Sequence, residues 1–142
     1  MRILCLDYGI KRIGVAVCDE LGMTAQGLAT IFRKNRRRDL EEIAEFIRTY
    51  GVEKIVIGYP IRLDGTEGIE CEKISKFASL LESIFSLPVI KWDETLSTKE
   101  AEEILSRANI ARNKRRNIVD KLAASLILQG YLDAQERCNK SE

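Results

Sequence analysis

The sequence predicts an α/β domain: a mixed five-stranded sheet with helices on both faces. Three observations lead there. Two short apolar runs at the start of the chain, Arg2–Asp7 and Arg12–Cys18, are joined by a tight Gly-bearing turn, as antiparallel neighbours are. Two later β-branched or apolar runs, Lys54–Gly58 and Pro88–Trp92, are each entered through a stretch of helical periodicity, which implies right-handed parallel crossovers. The 142 residues are 45% hydrophobic and 32% charged, enough for one domain that buries about two-thirds of its unfolded surface.

In chain order, Asp19-Glu20-Leu21-Gly22 reads as a turn and Met23–Thr30 as a third strand, completing a meander. Arg33–Arg38 reads as a basic loop. Asp39 with Glu42 forms a capping box for a helix whose apolar positions are Leu40, Ile43, Ala44 and Ile47, and Gly51 stops it. After the Lys54–Gly58 strand, Ile74, Phe77, Ala78, Leu81 and Ile84 define one face of a second helix. Ser97 with Glu100 opens a third, carrying Ala101, Ile104, Leu105 and Ala108. Asn109–Arg116 reads as a basic loop and Asn117–Glu136 as a long final helix. The order is β-β-β-α-β-α-β-α-α, the ribonuclease H-like arrangement. Residues 1–138 are expected to form one domain and residues 139–142 a polar tail.

Composition removes whole classes of chemistry. There is no histidine, which excludes Ser-His-Asp and Cys-His triads and imidazole acid–base work. The cysteines, Cys5, Cys18, Cys71 and Cys138, lack C-x-x-C spacing, so structural zinc is not expected, and Cys5 and Cys18 read as small buried side chains. Lys and Arg total 23 against 22 acids, so it is the clusters at Arg33–Arg38 and Arg112–Arg116, not net charge, that suggest a polyanionic partner. No run approaches the ~18 apolar residues of a membrane span, no cleavable signal is evident, and the cytoplasm is the expected compartment.

Catalysis then rests on carboxylates. Asp7 and the pair Asp93-Glu94 follow strand patterns, where ligands of open sheets gather. On the last helix, Val119, Leu122, Ala123, Leu126, Ile127 and Gly130 define the packing face, and Lys121, Ser125, Gln129 and Glu136 a polar stripe. Asp120 falls on the border of the apolar face, where a carboxylate needs a cation, and near the helix start, where the dipole favours it. A hard divalent ion, Mg²⁺ or Mn²⁺, resolves the repulsion among such acids and keeps water ligands, which suits phosphodiester hydrolysis. Lys11, Arg12, Arg112, Lys114, Arg115 and Arg116 are the candidates for holding the phosphate backbone. Each piece has a plainer reading: Asp7 and Asp93 as turn residues, Glu94 as a solvated acid, Asp120 as a first-turn helix acid, the bases as solvated faces. Tyr8, Tyr59 and Trp92 are expected to pack in the core and not to stack on bases.

Four stretches together resemble the YqgF/RuvX family of pre-16S rRNA nucleases related to RuvC resolvases. They are Asp7–Ala16, Gly58-Tyr59-Pro60 with Asp64-Gly65-Thr66, Asp93–Thr98, and Asp120–Ala124 running into Ile127–Leu132. The resemblance implies a ribonuclease H-like fold and trimming of the 5′ end of the 16S rRNA precursor, with Asp7, Glu94 and Asp120 as the catalytic and metal-binding acids and Asp93 as their neighbour. The place at the fourth strand's end where the wider superfamily often has an acid holds Gly58-Tyr59-Pro60, so that role passes to Glu94. The alternatives are a nuclease of branched DNA, whose symmetric cutting favours a homodimer, and a non-catalytic nucleic-acid or ribosome-binding module; the chain is expected as a monomer or homodimer. An actin-like kinase is disfavoured, because its nucleotide lies between two such domains and the chain has room for one.

Overall fold

The computed structural model describes residues 1–60, 68–93, 103–104, 106–107 and 112–140. Its strands are β1 (Ile3–Tyr8), β2 (Arg12–Cys18), β3 (Ala25–Phe32), β4 (Lys54–Tyr59) and β5 (Val89–Asp93); its helices are α1 (Arg36–Tyr50), α2 (Ile69–Phe85) and α3 (Arg112–Lys140). The five strands form one sheet in the order β3-β2-β1-β4-β5. β1 pairs antiparallel with β2, and β2 with β3, whereas β1–β4 and β4–β5 are parallel. This is the ribonuclease H-like arrangement expected from the element order. Of the expected helix carrying Ala101–Ala108, only 103–104 and 106–107 are described, and they are helical; the Ser97–Glu100 box and Asp64-Gly65-Thr66 lie outside the described residues.

Period-two alternation divides the strand side chains between two layers. Leu4, Leu6, Ile13, Val15, Val17, Ile55 and Ile57 face α1 and α2, meeting Ile43, Ile74, Phe77 and Leu81. Ile3, Cys5, Ala16, Cys18 and Val56 face α3, meeting Ala124, Ile127, Leu128, Tyr131 and Leu132. The strand residues under α3 are the smaller ones, so that helix can approach closely. A Cβ on Gly14 would lie 2.0 Å from the backbone oxygen of Asp120, and one on Gly27 would lie 2.9 Å from that of Lys121. Cys5 and Cys18 are buried, as expected, and Cys18 Sγ accepts from the Ile3 amide at 3.1 Å.

Three expectations are corrected. α1 starts at Arg36 with Asn35 as its cap: Asn35 Oδ1 accepts from the Arg38 amide at 2.9 Å, so Arg36–Arg38 are helical and Asp39 is a buried residue inside the first turn. Asn is at least as good a cap as Asp, and arginines propagate a helix readily. For the same reason α3 begins at Arg112 and not at Asn117, taking residues 112–116 of the supposed basic loop into the helix; it runs on to Lys140. Its buried face is also rotated from the one the periodicity suggested. Val119, Ala123, Ala124, Ile127, Leu128, Tyr131 and Leu132 are buried, and Leu122 and Leu126 are only partly so. Gln129, assigned to the polar stripe, tacks the helix to the start of β3: its Oε1 accepts from the Ala25 amide at 2.9 Å and its Nε2 donates to Met23 O at 3.0 Å.

The Gly14 contact generates a stability test. Gly14→Ala forces a methyl against the α3 backbone and is expected to cost about 1–3 kcal/mol, the usual range for overpacking. Gly27→Ala, with the roomier contact, should cost less. Urea denaturation of both variants measures the order, and equal costs would contradict the close seat at Gly14.

Candidate active site

Asp7 is the next-to-last residue of β1, paired with Gly14 of β2. Alternation puts it on the Ile3 and Cys5 face, toward α3. The space that a side chain at Gly14 would fill is occupied by the Asp120 backbone, so α3 delivers Asp120 beside Asp7. The two carboxylates feel each other's charge. Asp120 lies on the line of Ala124 and Leu128, within the buried face of α3 and not at its border. Because α3 begins at Arg112, about two turns earlier, the dipole of its first turn does little for Asp120, contrary to expectation.

A cation from the neighbouring turn meets this acid. Arg12 Nε lies 2.8 Å from Asp120 Oδ2, with side-chain exposures of 34% and 18%. The contact is a close charge-assisted pair, with Oδ2 buried against the Arg12 guanidinium. Burial raises the Asp120 carboxyl above the ordinary aspartate value of 3.8; the Arg12 charge and its hydrogen bond oppose that rise, and the Asp7 charge adds to it. Gly9, Ile10, Lys11, Arg12 and Asp120 line a cleft of about 330 Å³, with Lys11 exposed at its edge.

The other sequence candidates are placed differently. Asp93 ends β5 opposite Tyr59 of β4, on the same sheet edge as Asp7 but two strands away, roughly 10 Å at the usual strand spacing. Ile90 and Trp92 belong to the α3 face, so by alternation Asp93 belongs to the other one. Glu94 lies outside the described residues. Arg112, Lys114, Arg115 and Arg116 occupy the first turns of α3. The aromatic candidates pack, as expected: Tyr8 stacks on Phe77 at 4.4 Å, Tyr59 is buried, and Trp92 meets Tyr131 edge-on at 5.3 Å. The Arg12–Asp120 pair was not read from the sequence, where Arg12 was assigned to phosphate. The small residues alternating along β2, Gly14, Ala16 and Cys18, were the signal that a helix would come this close.

Among the described residues no three Asp, Glu, Cys or His side chains form a metal-binding group. The two that lie near one another suit a hard cation: two carboxylates, one of them partly buried with a raised carboxyl.

Residues 1–134 match the family model described as "RuvX: Holliday junction resolvase". A Syntrophus aciditrophicus (strain SB) protein named "Putative pre-16S rRNA nuclease" is 69% identical over 134 residues, covering 94% of this chain and 89% of that protein. The Fowlpox virus resolvase solved with substrate Holliday junction DNA is similar in fold, with a TM-score of 0.61 at 15% identity over 95% of this chain and 99% of that one. T. thermophilus RuvC with a Holliday junction substrate gives 0.56 at 17% identity, covering 96% of each chain. At these identities the two structures speak to the fold alone, and they agree with the sheet described above.

The raised Asp120 carboxyl predicts a pH-dependent stability. With its folded-state pKa above the unfolded value, ionised Asp120 works against folding; the stability it contributes is fully present below the ordinary aspartate range and is lost as pH rises through the folded-state value. Metal-free Asp120→Asn should therefore melt above wild type at pH 7–8, and the gain should vanish near pH 3. Excess Mg²⁺ should raise the Tm of wild type and not of the variant. A variant that melts lower at neutral pH, or gains equally from Mg²⁺, would contradict this account of the site.

Proposed function

The chain belongs to the RuvX family, and from that premise we propose that it is a divalent-metal ribonuclease that trims the 5′ end of the 16S rRNA precursor. As a member of that family it is a hydrolase of phosphodiester bonds. The observation that carries the metal-dependent reading is the approach of Asp120 to Asp7 at the end of β1, where burial and the Asp7 charge raise the Asp120 carboxyl against the pull of Arg12. The 69% identical relative, named for precursor rRNA, supports RNA as the substrate.

Asp7, Asp120 and Glu94 would hold the ion. Asp93 is the weaker partner, since its strand position belongs to the opposite face. When bound, Mg²⁺ or Mn²⁺ supplies charge neutralisation and an activated water. Asp7 and Asp120 provide the negative oxygens, and the small residues of β2 keep α3, and with it Asp120, tight against the sheet. Arg12 shields the pair from its own repulsion, and exposed Lys11 offers a cation to an incoming phosphate at the mouth of the cleft. Arg112, Lys114, Arg115 and Arg116 add positive charge at the start of α3, which bears Asp120 farther along. Among the described residues no helix is long and apolar enough to cross a membrane, and the proposed substrate places the protein in the cytoplasm, as a monomer or homodimer.

The family description favours a second reading, cleavage of branched DNA with the same acids. Side-by-side assays of precursor 16S rRNA and a synthetic four-way DNA junction separate the two. Metal-dependent cutting of the RNA is expected, and cutting of the junction alone would transfer the assignment to DNA. Asp7→Asn should lower cleavage at least about a hundredfold while leaving RNA affinity within a few-fold, because the carboxylate serves the ion and not the backbone. Equal cleavage by variant and wild type would remove Asp7 from the site and favour a non-catalytic binding module.

A further inference from the structure

We propose that Arg33, backed by Asp39, is the positioning residue of this site: it fixes the β1–β2 turn from which Arg12 reaches Asp120. The inference rests on the nuclease reading above. That turn protrudes, with Ile10 82% exposed, and its own internal bond runs from the Gly9 amide to Arg12 O at 2.9 Å. A protruding turn held this lightly frays toward the start of β2, and Arg12, whose backbone there pairs with Phe32, would lose the ordered turn on its other side. Arg33 prevents that from outside. Its Nη1 donates to Gly9 O at 2.9 Å and to Ile10 O at 3.2 Å, and its backbone amide donates to Lys11 O at 2.9 Å. Three successive carbonyls of the turn are thus held by one residue. Its guanidinium also lies 4.5 Å over the Tyr8 ring, which stacks in turn on Phe77 of α2.

Asp39 sets the direction of this fork. It is 2% exposed, the one charged residue in the fully buried set among the described residues. Its Oδ2 lies 3.5 Å from Arg33 Nε and its Oδ1 accepts from the Lys34 amide at 3.1 Å. A buried carboxylate is costly unless paired, and replacing such a pair by apolar groups often stabilises a protein. What this pair supplies is orientation: one planar fork addresses a carboxylate and two carbonyls together, which an ammonium cannot do. Arg33 belongs to the cluster that the sequence suggested for a polyanion, but its Nη1 is engaged by the turn and its Nε by Asp39.

Arg33→Gln and Arg33→Lys, each checked for folding by Tm, test the proposal in two ways. The first is amide hydrogen exchange at Gly9, which needs no activity; it is expected to accelerate at least tenfold in both variants. The second is Mg²⁺-dependent cleavage of a precursor 16S rRNA fragment. There kcat is expected to fall at least tenfold, with RNA affinity and its salt dependence unchanged. Unchanged exchange at Gly9, or full activity in Arg33→Lys, would overturn the proposal. So would a loss confined to RNA affinity with a salt slope lowered by about one, the mark of a direct phosphate contact. If wild type cuts neither RNA nor junction with any divalent ion, the nuclease reading falls, and the exchange rates alone decide whether Arg33 holds the turn.

Discussion

The contact between the α3 backbone and Gly14 of β2 is the constraint on which the rest of the site depends. At that point helix and sheet are closer than any side chain permits. The approach brings Asp120 beside Asp7, because Asp7 is the β1 partner of Gly14. It also brings Asp120 within 2.8 Å of Arg12, just before Gly14 in β2. Acid, second acid and counter-cation thus derive from one close seat, supported at a distance by Gln129 and the start of β3.

The molecule handles a buried acid and a half-buried one in opposite ways. Asp39 and Asp120 each face an arginine, Arg33 and Arg12. Asp39 has a backbone donor from Lys34 as well. Asp120 has the Arg12 guanidinium at Oδ2, and burial together with the Asp7 charge still works against its ionisation. Such an imbalance is unfavourable for a purely structural carboxylate, and it is the condition under which a divalent ion gains most. The first acid holds the frame, and the second is the one proposed for the chemistry.

Local signals misled where two residues competed for one role. Asp39 matched a capping box, but Asn35 lay one turn earlier before three arginines that extend a helix well. The basic run before Asn117 looked like a loop because it is charged; with no Gly or Pro to interrupt it, it became the first turns of α3. Asp93 and Glu94 were indistinguishable as strand-end acids. The β4–β5 register, which pairs Asp93 with Tyr59, decided which face Asp93 takes.

By itself, the sequence determined the sheet, its crossovers and the acids worth considering, because period-two runs, turns and strand endings are local properties read residue by residue. The lack of histidine was equally plain and confined the chemistry to carboxylates. The rotation of α3, the pairing of Arg12 with Asp120 and the clamp of Arg33 on the β1–β2 turn were decided only by the tertiary structure. A helix's periodicity specifies a stripe to within a residue or so. The strand surface beneath it, small at Cys5, Gly14, Ala16 and Gly27, selects the line that goes deepest. Asp120 lies on that line, and for that reason an acid legible as a border residue ends up beside Asp7 in the candidate site.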